Sequence, residues 1–163
     1  MARAAGEKAG GAWGGAAGSA TVSRSVLVRA DARAVWAVVS RVMDLEEWVA
    51  GVRSVKAETQ ALSGVGAGRA IAFEDGAVVR ERVVGWVEGK HVSYIMLDGL
   101  PLDSYHATIS VSPEGRRAAR VTWRSHLGAS PGRGGPGEAA ASIGALYSAS
   151  LAGLKRLVEG RAR

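Results

Sequence analysis

The chain has 163 residues, 47% hydrophobic and 22% charged, a size that suits one domain. It contains no cysteine, which excludes disulfide frameworks, thiol nucleophiles and zinc–thiolate sites. No stretch approaches the roughly 20 apolar residues of a membrane-spanning helix, and half of the net charge of +6 sits at the two ends, so no basic stripe marks a nucleic-acid surface.

Residues 1–20 hold 8 alanines and 6 glycines, interrupted by Glu7 and Lys8, and lack the leucine-rich core of a secretory signal. They are expected to form a disordered tail, with residues 21–163 as a single domain. The absence of cysteine fits the cytoplasm. Residues 21–30 alternate, with Val22, Val26 and Val28 on one face, and predict a strand. Asp31 then caps a helix running to about Val42, along which Val35, Val38, Val39 and Val42 form an apolar stripe. Asp44 and Glu47 resemble a capping box ahead of Trp48 and predict a second short helix.

From Val52 the texture turns to β, with strands expected at 52–60, 69–73, 77–87, 91–97, 104–112 and 119–127. Ser63-Gly64, Asp75-Gly76, Glu88-Gly89, Asp98-Gly99 and Pro113 with Gly115 punctuate them, as in a meander of hairpins. A long amphipathic helix follows at 137–159. Ile143, Leu146, Tyr147, Ser150, Leu154, Leu157 and Val158 share one of its faces, and Gly160 marks its stop. Segregated strands and helices give an α+β domain, with the long helix packed on one face of a curved antiparallel sheet.

Alternation also sorts the polar residues. Glu81 shares a face with Val79 and Val83, and Arg69 with Ile71 and Phe73. A three-residue turn through Glu74, Asp75 and Gly76 places Arg69 opposite Glu81. A two-residue Asp-Gly turn would instead set Arg69 against Arg82, facing like charges across a pair, so the first register is preferred. The pair is open to two readings: a salt bridge that two buried charges require, or the polar anchor of a ligand cavity. In the second, Glu81 is a candidate general base and Arg69 stabilises an enolate or holds a carboxylate. Tyr94 and Tyr105 also lie on apolar faces, either as core aromatics or as proton donors to a substrate carbonyl, with Tyr105 the better candidate. Trp123 supplies an apolar wall, and Ile71, Phe73, Val79, Val83, Ile143 and Tyr147 are expected to line the cavity with it.

No metal site is expected, because His91, His106 and His126 lack ligand spacing on any one element. Gly128-Ala-Ser130-Pro-Gly132 matches a nucleophile elbow in letters only, since Pro131 has no N–H for an oxyanion hole. Gly64-Val-Gly66-Ala-Gly68 leads into a strand and offers no helix N-terminus to a phosphate. The glycine-rich segment 128–136 is read either as a cavity lid or as a plain connector.

Element order joins a set of short motifs: A-D-A-R-A-V-W at 30–36, D-L-E-E-W at 44–48, G-x-G-R at 66–69 and D-G-x-x-x-x-E at 75–81. S-Y at 93–94, G-L-P-L-x-S-Y at 99–105 and V-T-W at 121–123 continue it. Over residues 21–160 the chain resembles the START-like (SRPBCC) superfamily, and within it the small polyketide cyclase/dehydrase-like branch. The resemblance implies a helix-grip fold of seven strands, two short helices and a long C-terminal helix, with a deep apolar cavity between sheet and helix. Members include cyclases, dehydratases, hormone receptors and lipid carriers, so it implies no single activity. The expected partner is a hydrophobic, polyketide-like small molecule bound without a cofactor, and cyclised or dehydrated by acid–base chemistry. A non-catalytic carrier or sensor is the alternative, and a homodimer is left open.

Overall fold

The computed structural model describes residues 18–129 and 135–161. In chain order these form β1 (Gly18–Val28), α1 (Ala32–Val39), a single 3-10 turn (Leu45–Glu47), β2 (Val52–Ala57) and β3 (Gly68–Phe73). There follow β4 (Val78–Val87), β5 (His91–Asp98), β6 (Ser104–Pro113), β7 (Ala119–Ala129) and α2 (Gly135–Arg161). The strands make one antiparallel sheet in the order β1-β7-β6-β5-β4-β3-β2, a meander whose last strand is joined by the first. With α2 packed over β1 and β7, this is the α+β helix-grip fold that the element order implies.

The strand alternation works as expected. Along β7, Val121, Trp123, Ser125 and Leu127 are buried, while Arg120, Arg124 and His126 face solvent. On α2, Ile143, Tyr147, Ser150, Leu151, Leu154 and Val158 recur at helical spacing and are buried together. Ser150 fits this stripe because its hydroxyl donates to the Leu146 carbonyl (2.7 Å) and accepts from the Ala50 amide (3.0 Å). Beside it Gly153 allows a close crossing: a Cβ there would lie 2.5 Å from the Trp48 carbonyl oxygen.

Several boundaries differ from expectation, each for a physical reason. β1 begins at Gly18, whose partner is Ala129, because β7 continues to that point, so residues 18–20 belong to the sheet. Residues 1–17 of the expected tail lie outside the described residues. Asp31 caps α1 by accepting the Ala34 amide (2.8 Å), but the helix ends at Val39 and Val42 is buried from the segment beyond it. The expected second helix is only a 3-10 turn. Asp44 makes no cap, and both acids turn to Arg41 instead, at 3.3 Å (Asp44) and 2.5 Å (Glu47). β2 stops at Ala57 because the Thr59 hydroxyl takes the Gly68 amide (2.8 Å) and starts the turn. α2 passes through Gly160 to Arg161. Gly128 and Ala129 lie in β7, and Gly135 and Pro136 in α2, so what remains of the expected lid, residues 130–134, lies outside the described residues.

Candidate functional site

A cavity of about 310 Å³ lies between the sheet and α2. Ile71, Phe73, Val79, Trp123, Ile143 and Tyr147 line it, as do the polar candidates Arg69, Glu81, Tyr94 and Tyr105. Val83 does not, which corrects the sequence reading. It lies two residues beyond Glu81 along β4, on the same face, but there it is 1% exposed and packed into the closed core. Alternation identifies a strand's inner face without showing where along the strand the core opens.

The charged pair is built by the β3–β4 hairpin. Asp75 Oδ1 accepts the Ala77 amide (2.9 Å), Gly76 adopts φ 92°, and Arg69 stands directly opposite Glu81. This is the register expected from the three-residue turn. Arg69 Nε and Nη2 both donate to Glu81 Oε2, at 3.0 and 2.7 Å, and Nη1 donates to the Val42 carbonyl at 2.5 Å. The early end of α1 leaves that carbonyl available to the guanidinium. The pair is 4% and 7% exposed, and breaking such a pair from one side costs about 3–5 kcal/mol. Burial raises the Glu81 carboxyl above its ordinary range, and Arg69 opposes the shift without cancelling it.

Around the pair sits an aromatic cluster drawn from four elements. The Arg69 guanidinium lies 5.2 Å from the centroid of the Tyr94 ring, a cation–π contact. Trp123 Nε1 donates to the Tyr94 hydroxyl (2.9 Å), and the Trp123 indole stacks on Tyr147 with centroids 4.2 Å apart. The hydroxyls of Tyr105 and Tyr147 share a short hydrogen bond. Burial raises all three phenols: Tyr105 to about 12, and Tyr94 and Tyr147 further. For Tyr105 the hydrogen bond to Tyr147 opposes the effect of burial. These are the only three tyrosines in the chain, and all of them line the cavity.

Leu45, Met96, Leu100, Ile109, Ser142 and Leu146 also line the cavity, and the sequence reading assigned none of them to it. Ile109 carried a signal, since it shares a strand face with Tyr105. Ser125 carried the same kind of signal, as it alternates with Trp123 on β7. It is fully buried and influences both Tyr105 and Tyr147, yet its Oγ makes no hydrogen bond of regular geometry among the described residues. His106 and His126 are cross-strand partners on the solvent face, where His126 Nδ1 meets the Thr21 hydroxyl at 3.0 Å. Among the described residues no cluster of three or more His, Cys, Asp or Glu could hold a metal ion.

A family model described as "Polyketide cyclase / dehydrase and lipid transport" matches residues 19–159. The chain belongs to that family. Among solved structures it is similar to XoxI from Bacillus cereus, at 20% identity and TM-score 0.78, covering 88% of this chain and 99% of that one. A solution structure from Thermobifida fusca gives 27% identity and TM-score 0.74, covering 86% and 93%. Norcoclaurine synthase from Thalictrum flavum, in complex with dopamine and hydroxybenzaldehyde, gives 18% identity and TM-score 0.67, covering 87% of both chains. No curated protein matches significantly. Membership of the family fits a hydrophobic-ligand domain, and among the described residues no helix is long and apolar enough to cross a membrane.

Proposed function

We propose that this protein encloses a hydrophobic, polyketide-like small molecule in the cavity and catalyses its cyclisation or dehydration by acid–base chemistry. The supporting observation is that Glu81, whose carboxyl burial holds above its ordinary range, and Tyr105 both line one apolar cavity. Glu81 takes a proton from the carbon beside a ligand carbonyl, while Tyr105 donates a hydrogen bond to the carbonyl oxygen on which negative charge builds. Arg69 positions Glu81. The enolate carbon then attacks a second carbonyl of the folded chain, and the new alkoxide takes up a proton. Removal of a further α-proton and departure of the hydroxyl as water complete the dehydration. Confinement of a flexible chain supplies much of the acceleration.

The alternative, a carrier or sensor without catalysis, draws on the same pair, because Arg69 already satisfies Glu81 with two hydrogen bonds. Exchange of the methyl protons of 2-acetylnaphthalene in D2O, followed by NMR, separates the two. Catalysis predicts that the protein accelerates exchange and that Glu81→Gln slows it by about 10²–10⁴-fold, the usual range for a general base, while the ketone still binds. Binding without acceleration by the wild-type protein would leave the carrier reading.

A further inference from the structure

The same cavity specifies the size and charge of its occupant. We infer that the ligand is electrically neutral and no larger than about two fused rings, with a carbonyl or hydroxyl oxygen presented to the phenol cluster. This inference rests on the reading of the cavity as a ligand site and narrows it.

Size follows from volume. A cavity of about 150 Å³ accepts one benzene ring, and this one is about 310 Å³. It therefore holds two fused rings, or one ring with a short side chain. A long acyl chain or a four-ring product exceeds it. The cleft that continues outward past Leu100, Ser142 and Ile143 is lined by Pro101, Leu102 and Glu138, so a longer molecule would leave its remainder between these residues and solvent.

Charge follows from the state of Arg69. It is the one cation lining either the cavity or that outer cleft among the described residues. Its Nε and Nη2 are engaged by Glu81 and its Nη1 by the Val42 carbonyl, so the positive charge is already matched by a carboxylate. Among the described residues, the other charged side chains lining the cavity and cleft besides the Arg69–Glu81 pair are acidic: Asp75 at the hairpin and Glu138 on α2, both exposed. An anion entering would lose its hydration and meet no unpaired cation, which is a costly burial. A neutral oxygen loses much less, and Tyr94, Tyr105 and Tyr147 all line the cavity, where phenols already hydrogen-bonded to one another or to Trp123 are neutral partners for it. The expectation that Arg69 anchors a carboxylate therefore gives way to one in which Arg69 and Glu81 neutralise each other and the phenols read the ligand.

Titration with three probes tests this at neutral pH: 2-naphthol, 2-naphthoate and palmitate, followed by calorimetry. The first two share a ring system and differ in charge. The inference predicts that 2-naphthol binds, that 2-naphthoate binds at least about tenfold more weakly, and that palmitate binds no better than 2-naphthoate. It further predicts that Glu81→Gln, which removes the carboxylate matching Arg69, moves the preference towards 2-naphthoate. Equal or tighter binding of 2-naphthoate to the wild-type protein would overturn neutrality, and preferred binding of palmitate would overturn the size limit. Both results would leave the cavity as a ligand site. Failure of all three probes to bind the folded protein would overturn the ligand site itself and this inference with it.

Discussion

At the scale of single residues, the burial of every tyrosine has a consequence in alkali. Tyr94, Tyr105 and Tyr147 are between 1% and 8% exposed, and each holds its proton more tightly in the folded state than in the unfolded chain. A group whose folded pKa is raised contributes stability that is complete below its unfolded pKa and is lost as pH rises through the folded one. For Tyr105 that window runs from 10.0 to about 12. Absorbance of tyrosinate near 295 nm should thus remain flat through pH 10 and rise only together with the loss of tertiary structure seen by near-UV circular dichroism. Titration of three phenols near pH 10 with that signal intact would contradict the burial. Glu81 has the same sign at lower pH: its contribution is complete below 4.5 and fades as pH rises through its raised folded value. It therefore opposes acid unfolding instead of driving it.

Among the elements, α2 shows how one residue type serves different purposes along one helix. At Gly153 a methyl group would meet the Trp48 carbonyl, whereas at Gly160, among the described residues outside its own stretch of helix backbone, no atom lies within 4 Å of the added carbon. Gly153→Ala should lower stability by about 1–3 kcal/mol, because backbone crowding exceeds the gain in helix propensity. Gly160→Ala should raise it by up to about 1 kcal/mol. Chemical denaturation of both variants checks the opposite signs, and a stabilising Gly153→Ala would refute the close crossing. The same elements show which features a sequence can carry. The Arg69–Glu81 register was legible because a turn of fixed length sets every partner along a hairpin, and the competing turn faced like charges. The 3-10 turn was not legible, since Asp44 and Glu47 have capping-box spacing and only the position of Arg41 in space diverts them. Nor was the third bond of Arg69, because its acceptor is a backbone carbonyl exposed by the early end of α1.

For the molecule as a whole, the order of elements and their alternating faces already specified a helix gripped by a curved sheet. The extent of the cavity was less accessible. Val83 and Val79 have the same chemistry and the same face of β4, yet one packs shut and the other borders open space. That difference depends on how closely α2, the 3-10 turn and the sheet approach one another, which no single strand records. In both the catalytic and the carrier reading, the ligand sits in the space beneath α2. Leu146 on α2 borders that space and is only partly buried, so Leu146→Trp fills it from one wall without removing any polar group. The most direct measurement is fluorescence titration of the wild-type protein and this variant with 2-naphthol, with circular dichroism confirming that both are folded. A ligand seated there gives one molecule bound per wild-type chain and at least about a tenfold loss of affinity in Leu146→Trp. Undiminished binding by the folded variant would place the ligand elsewhere and contradict both readings.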